Sequence, residues 1–175
     1  MIIAEVIYPN CNKQYGFDEP WDYTPIIEAL GHPLIRTDED GYCGDTFVLL
    51  RSKENENLYG YLTFGWGSCS GCDELQACNS YAELQELIDR FENDVKWDTA
   101  PNLYKYFLTH DWNGDWVGHS STFKEFYSQA VRELQKETIS LLSGHITNIA
   151  GSGALTLDEM VELEAIEGAL IAACV

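Results

Sequence analysis

The stretch Thr46–Phe64 reads TFVLLRSKENENLYGYLTF and sets the expected architecture. Its first part, Thr46–Leu50, and its last part, Tyr59–Phe64, are rich in the β-branched and aromatic residues that strands favour. The polar connector Lys53–Asn57 has the length of a hairpin loop. We therefore expect an antiparallel pair of strands over residues 46–51 and 59–65.

Helical periodicity begins on the C-terminal side of these strands. Apolar residues recur at steps of three and four from Tyr81 to Val95, and Ser80 with Glu83 forms a capping box at the start. The opening segment Ile2–Tyr8 is predicted as a strand because it is β-branched, although its apolar spacing also fits a helical turn. Further helices are predicted at Asp22–Leu30, after Pro101, over residues 122–142 and from Thr156 onward.

A single α+β domain over residues 1–175 is the expected organisation. The length suits one domain, and a hydrophobic content of 45% is enough to form a packed core. No linker rich in Pro, Gly or Ser separates two parts of the sequence. We expect a small antiparallel sheet packed by four to five helices.

The charge balance narrows the class of partner. The chain has 29 Asp and Glu against 10 Lys and Arg, a net charge of −19, and its bases are scattered. Nucleic acids and anionic membranes would be repelled, so neither is expected as a direct partner. The same field attracts basic proteins, including nucleases that hold nucleic acid in a basic groove. Because Met1–Tyr8 lacks the basic start of a signal peptide and no apolar run is long enough to span a membrane, we expect a cytoplasmic protein.

Two acidic segments are the candidate partner-binding sites. The first is the predicted turn Asp38-Glu39-Asp40, ahead of the first strand. The second is the last helix, which is predicted to present four acids outward: Asp158, Glu159, Glu162 and Glu164. Its apolar residues are predicted to face inward: Met160, Leu163, Ile166, Leu170 and Ile171. No basic residue follows Lys136, so the outer face of this helix is expected to be strongly negative.

Three cysteines fall within ten residues after the second strand. Cys69 and Cys72 have the CxxC spacing with which two thiolates converge on zinc, and the candidates for further ligands are Cys78, Cys43 or a histidine. A structural zinc site needs four ligands, and the fourth is unassigned. We therefore expect no cofactor and keep zinc as an alternative. The leading interpretation is a tight, glycine-shaped turn in which small thiols pack against their neighbours.

Thiol redox chemistry is a weaker alternative for the CxxC pair, because the charges of Asp73 and Glu74 oppose thiolate formation.

The segment His110–His119 carries two histidines and two carboxylates in a predicted loop. Their spacing matches neither a calcium loop nor an HExxH helix. A metal site there competes with a simpler interpretation, in which Trp112 and Trp116 fold onto the core.

The cysteine segment also carries a resemblance. The run GSCSGCD at residues 67–73, preceded by YGYLTFGW at 59–66, resembles a motif of small acidic proteins of bacteriophages and prophages. The resemblance covers about residues 40–97 and implies a phage accessory protein, with no defined activity or catalytic residue. By analogy, many small acidic phage proteins disable host defence nucleases by occupying their basic channels.

These features predict a non-enzymatic acidic phage-type protein. We expect it to bind and inhibit a host nucleic-acid-handling defence enzyme, such as a CRISPR effector or a restriction nuclease, through negatively charged surfaces. One alternative is a metal-binding or thiol-dependent protein centred on Cys69, Cys72 and Cys78. The other is a phage assembly or accessory interaction protein. The sequence contains no GxSxG elbow, P-loop or dinucleotide fingerprint.

Overall fold

A four-stranded antiparallel sheet and seven α-helices make up most of the described part of the chain. The computed structural model describes residues 2–13, 16–17, 20–67, 73–114, 116–152 and 156–173. Contacts group the chain into a first unit, Met1–Glu56 with Gly60–Trp97, and a second unit, Asn57–Tyr59 with Asp98–Val175. The predicted α+β class is confirmed. One domain over residues 1–175 stays a prediction.

The sheet has the strand order β3-β4-β5-β6. Its strands are β3 (His32–Asp38), β4 (Cys43–Arg51), β5 (Leu58–Gly67) and β6 (Lys96–Thr99), and a separate antiparallel pair consists of β1 (Asn12–Lys13) and β2 (Gly16–Phe17). Strands β3 and β4 are antiparallel, with His32 opposite Arg51 and Asp38 opposite Thr46. The two predicted strands correspond to β4 and β5 and are neighbours in the sheet, as expected.

Two strands of the sheet were not predicted, and both lie at its edges. Strand β3 exposes much of its length to solvent and contains Pro33, so it lacks the alternating apolar pattern that marks a half-buried strand. Strand β6 has only four residues and buries none of them fully. Such strands are held by their neighbours rather than by their own sequence preference.

The helices are α1 (Ala4–Ile7), α2 (Thr24–Leu30), α3 (Glu74–Ala77), α4 (Tyr81–Asp94), α5 (Ala100–Thr109), α6 (Ser121–Ser152) and α7 (Leu157–Ala173), with a 3₁₀ turn at Trp116–His119. The predicted strand at Ile2–Tyr8 is wrong, because this segment forms α1 and Tyr8 N–H donates to the Ala4 carbonyl at 2.9 Å. Helix α6 begins where predicted and continues beyond the expected end at residue 142.

Local capping explains where two helices begin. At the start of α4, the Ser80 hydroxyl accepts the Glu83 N–H at 3.3 Å, as the capping box predicts. The Glu83 carboxylate accepts the Asn79 N–H at 2.6 Å. At the start of α7 the box is complete, because the Glu159 carboxylate accepts the Thr156 N–H at 2.7 Å and the Thr156 hydroxyl accepts the Glu159 N–H at 3.3 Å.

The core of the first unit lies between the buried face of α4 and the inner residues of α2, β4 and β5. Its most buried members include Ile26, Ile27, Val48, Leu50, Leu62, Leu84, Ile88 and Phe91. The rings of Tyr23 and Phe91 both contact Phe64, each at a centroid distance of 4.7 Å. This packing fixes α4 along its apolar stripe and leaves its opposite half in solvent.

The second unit has an aromatic core built from α5, α6 and the segment after α5. The Trp112 indole N–H donates to the Phe107 carbonyl at 2.8 Å, and its ring lies 4.9 Å from that of Phe123. The His110 ring packs on Trp112 at 4.4 Å. Trp112 therefore folds onto the core, in accordance with the simpler interpretation of this segment. The Trp116 side chain lies outside the described residues.

Helix α7 differs from its predicted inward face. Ile166 is buried as expected and Leu163 is partly buried. The prediction for Met160 is wrong, because half of this side chain is exposed and its neighbour Val161 is exposed as well. The side chains of Leu170 and Ile171 lie outside the described residues.

Candidate functional site

A buried polar network lies at the base of the cysteine segment. The Asp73 carboxylate is 4% exposed. It accepts hydrogen bonds from the Tyr23 hydroxyl, the Gly67 N–H and the Gln76 N–H, each at 3.0 Å. The Gln76 side-chain amide donates to the Gly67 carbonyl, also at 3.0 Å. Because Gly67 ends β5 and Asp73 precedes α3, the network joins the two ends of the segment 68–72.

This network satisfies a buried charge. Three donors on one carboxylate offset the cost of removing it from water. The Tyr23 hydroxyl also accepts the Leu75 N–H at 3.2 Å. Burial, and then the charge of Asp73, raises the pKa of Tyr23, so its hydroxyl stays protonated and remains a donor. Asp73 thus serves structure at this position, as the N-cap of α3 and as the closure of the segment.

The candidate zinc ligands are only partly within the described residues. Cys69 and Cys72 lie outside them. Cys78 is buried, and its Sγ donates to the Glu74 carbonyl at 3.3 Å. Burial, followed by the charges of Glu83 and Glu74, raises the pKa of Cys78 to about 11, so it is a thiol at neutral pH. Across the described ranges, no three His, Cys, Asp or Glu side chains are grouped closely enough to hold a metal ion.

A cleft of about 360 Å³ opens beside the polar network, within the first unit. Its lining combines two tryptophans with charged and amide side chains, including Trp21, Asp22, Arg36, Asp38, Trp66 and Gln76. Two buried atoms of this lining have no hydrogen-bond partner among the residues described: Trp66 Nε1 and Gln76 Oε1. Both residues belong to the wall of the cleft, which therefore holds one buried donor and one buried acceptor that no described residue uses.

The charged groups of the cleft are held in fixed positions. Arg36 Nε donates to the Asp38 carboxylate at 2.9 Å, and the Thr46 hydroxyl donates to the same carboxylate at 2.6 Å. Arg36 Nη1 donates to the Thr24 hydroxyl at 2.8 Å. Burial alone would raise the pKa of Asp22, but hydrogen bonds from Thr24 and the charge of Arg36 outweigh it, so the pKa lies below its usual range. Asp22 is thus ionised at neutral pH.

The first predicted partner-binding segment, Asp38–Asp40, lies at the end of β3 and in the turn that follows. Asp38 is engaged by Arg36 as described, and the Glu39 carboxylate accepts the Asp45 N–H at 3.3 Å. Asp40 is exposed. Burial, and then the charge of Glu39, raises the pKa of Asp45 to about 6. Two of the three predicted acids are therefore already used inside the fold.

The second predicted segment lies on α7, in the second unit. Asp158 and Glu164 are exposed, and Glu162 is partly exposed. Glu159 is the capping residue that accepts from Thr156. A role in partner binding for the three acids of Asp38–Asp40 and for these four acids of α7 stays a prediction.

The largest set of exposed acids on one helix, among the side chains described, was not selected from the sequence. We call it the α4 acidic face: Glu83, Glu86, Asp89, Glu92 and Asp94, all exposed. The only base on this helix, Arg90, forms an ion pair with Glu74. The three-residue spacing of these acids is visible in the sequence, but only the packing of α4 shows that all five share the solvent-facing half.

Comparisons with family models, curated proteins and solved structures find no match for this chain. None of the described helices combines the length and the apolarity that crossing a lipid bilayer requires. Function is therefore inferred from the geometry and charge of the described residues.

Proposed function

We propose that this chain is a non-enzymatic, phage-type acidic protein that binds and inhibits a host nucleic-acid-handling defence enzyme in the bacterial cytoplasm. The target class is a CRISPR effector or restriction nuclease with a Lys- and Arg-lined groove. The observation that supports this most is the α4 acidic face, with five exposed carboxylates on one helix. A surface of this kind steers a basic partner and competes with the phosphates that the partner normally binds.

The spacing of the α4 acidic face suits a groove built for phosphates. From Glu83 to Asp94 the helix rises about 16 Å, and the carboxylates from Glu83 to Glu92 follow one another at about 4.5 Å of axis. One DNA strand presents a phosphate about every 3.4 Å of axis. The two densities of negative charge are therefore similar, although the carboxylates wind across the exposed half of the helix instead of following a groove.

The α4 acidic face is also pre-organised. Leu84, Ile88 and Phe91 on the opposite side of the helix are almost completely buried in the first unit. The backbone that carries the acids is thus fixed before a partner arrives, which reduces the ordering cost of binding. With Arg90 already paired to Glu74, no base on α4 is left to offset the acids.

The experiment is an inhibition assay with two charge-matched variants. The α4 variant carries Glu83→Gln, Glu86→Gln, Asp89→Asn and Glu92→Gln, which keep an oxygen at each position for the existing hydrogen bonds. The control variant carries Glu28→Gln, Glu54→Gln, Glu56→Gln and Glu125→Gln, all at exposed positions outside α4 and outside α1, a helix that contacts it. Both have the same net charge, so a difference between them reports position and not total charge.

Wild-type protein and the control variant should inhibit DNA cleavage by a susceptible nuclease from a panel of restriction enzymes and CRISPR effectors. The α4 variant should inhibit at least about tenfold less strongly, since several charge-assisted contacts are lost together. Equal inhibition by both variants would contradict a role for α4. If wild-type protein inhibits no nuclease of the panel and instead copurifies with phage structural proteins, the assembly alternative is favoured.

A further inference from the structure

The cleft beside the polar network has features that the α4 acidic face does not explain. Gln76 is 5% exposed, and no donor among the described residues reaches its Oε1, while its amide nitrogen donates to the Gly67 carbonyl. Exchanging the two amide atoms would point an oxygen at that carbonyl, so the acceptor is the atom left over. A buried acceptor without a donor is unfavourable, and a bound donor would remove that cost.

The second unused atom is a donor. Trp66 Nε1 is buried and meets no acceptor in the part of the chain that the structure describes, and Trp66 lines the same cleft as Gln76. A ligand that satisfies both atoms must carry an N–H donor and a carbonyl-type acceptor. A protein segment has both, in its side chains and in its backbone.

The charge of the cleft favours a cationic occupant. Among the described residues, its lining contains three carboxylates, Asp22, Asp38 and Asp73, against one guanidinium, Arg36. Arg36 and Asp38 neutralise each other at 2.9 Å, and the Asp73 carboxylate is occupied by three internal donors. Asp22 is the carboxylate that remains for an incoming cation.

Aromatic surface is available at the same place. Trp21 lines the cleft and is 68% exposed, so an indole face is open to a partner. A planar guanidinium stacks on indole rings and still donates hydrogen bonds in its own plane. A lysine ammonium carries the same positive charge, but it does not stack on the ring and does not donate two parallel hydrogen bonds. A volume of about 360 Å³ falls in the usual range of ligand clefts.

We propose that this cleft binds an arginine side chain of the basic partner, which deepens the proposed function and rests on it. The guanidinium donates to Gln76 Oε1 and pairs with Asp22 while it stacks on Trp21. A backbone carbonyl of the partner accepts from Trp66 Nε1. The cleft thus supplies a specific arginine contact, whereas the α4 acidic face supplies general attraction.

The test uses the full chain alone and needs no nuclease. Nα-acetyl-arginine amide is titrated into ¹⁵N-labelled protein, and the Gln76 side-chain amide and the Trp66 indole N–H are followed by NMR. Both signals should shift and saturate. The neutral isostere Nα-acetyl-citrulline amide should bind at least about tenfold more weakly, because it lacks the charge.

Variants locate the binding. Trp21→Ala and Asp22→Asn should each weaken arginine binding several-fold; Asn keeps the oxygen that accepts the Thr24 N–H at 2.8 Å. Glu54→Gln, an exposed acid outside the cleft lining, is the matched control and should bind as wild type does. Unchanged spectra away from the cleft show that each variant is folded.

Three results would overturn the assignment: no saturable shift at up to about 50 mM arginine amide, equal binding of the citrulline amide, or equal binding by all three variants. A failure here leaves the nuclease assay of the α4 variant unaffected, because that assay changes no residue of the cleft. Conversely, arginine binding that persists when no nuclease is inhibited would retain the cleft and reject the proposed target class.

Discussion

The Asp73 carboxylate accepts the backbone N–H of Gly67 at 3.0 Å, and this contact closes the base of the cysteine segment. The two residues are six positions apart in the sequence, and their contact is buried in the first unit, next to the Tyr23 hydroxyl. The Gly67–Asp73 part of the motif therefore has a structural role that does not depend on a metal. It also positions Gly67 and Gln76 in the lining of the cleft.

Replacing Asp73 by Ala should destabilise the protein by about 3 kcal/mol, because three buried donors lose their acceptor. Urea unfolding followed by circular dichroism measures the change. Asp40→Asn, at an exposed position, is the control and should change the free energy of unfolding by less than about 0.5 kcal/mol. A loss of that small size for Asp73→Ala would show that the network does not hold the segment.

Asp45 should make stability depend on pH in an unusual direction. Its folded pKa of about 6 lies above the unfolded value of about 3.9, so folding favours the protonated form. The contribution of this residue to stability is therefore present at about pH 4 and is lost as the pH rises through 6. Asp45→Asn should be more stable than wild type at pH 7, by about 1–2 kcal/mol.

That difference between Asp45→Asn and wild type should shrink as the pH is lowered to about 4, where Asp45 is protonated in the folded state. The comparison therefore reports Asp45 together with its interaction with Glu39, the carboxylate whose charge acts on it. Urea unfolding at pH 4, 5, 6 and 7 measures it. A difference that stays constant over this range would show that Asp45 has an ordinary pKa.

Two glycines of the second unit should respond in opposite ways to alanine. A Cβ at Gly118 would overlap the Trp112 carbonyl oxygen, so the backbone must move. Gly118→Ala should cost more than about 2 kcal/mol. A Cβ at Gly144, within α6, meets no atom within 4 Å, and Gly144→Ala should stabilise the helix by about 0.5–1 kcal/mol. Thermal unfolding of both variants checks the prediction, and equal shifts would refute it.

Two cysteines should differ sharply in reactivity. Cys43 is exposed, whereas Cys78 is buried with a pKa raised to about 11. At pH 8, iodoacetamide should modify Cys43 at least about tenfold faster than Cys78, because the thiolate is the reactive form. Mass spectrometry of proteolytic fragments resolves the two sites. Similar rates would mean that the segment around Cys78 opens readily.

Apolar patterning and capping signals predicted correctly those elements whose burial in the fold matches their own sequence pattern. Strand β4 contains the continuous apolar run Phe47–Leu50, which is fully buried, and the start of α7 carries a complete capping box. Strand β3 was missed because an exposed edge strand has no such pattern. Segment 2–8 was assigned by its β-branched residues, and packing against α4 through Gln85, which accepts the Ala4 N–H at 2.9 Å, favours the helical turn.

The cleft was beyond sequence reasoning for a different reason. Its lining brings Trp21 together with Arg36 and Gln76, which only the tertiary fold places side by side. The unused acceptor on Gln76 has no sequence signature, since most glutamines are solvated. By contrast, the α4 acidic face follows from spacing and amphipathicity, whereas the sequence prediction favoured the last helix because no basic residue follows Lys136.

The most direct test of the central claim is the salt dependence of binding to the inhibited nuclease. The dissociation constants of wild-type protein and of the α4 variant are measured at about 0.05 and 0.2 M NaCl. Wild-type affinity should fall at least about tenfold over this range, and the affinity of the α4 variant should fall much less, because fewer charged contacts remain to be screened. A wild-type affinity that does not change with salt, or an equal dependence in both proteins, would contradict recognition through the α4 acidic face.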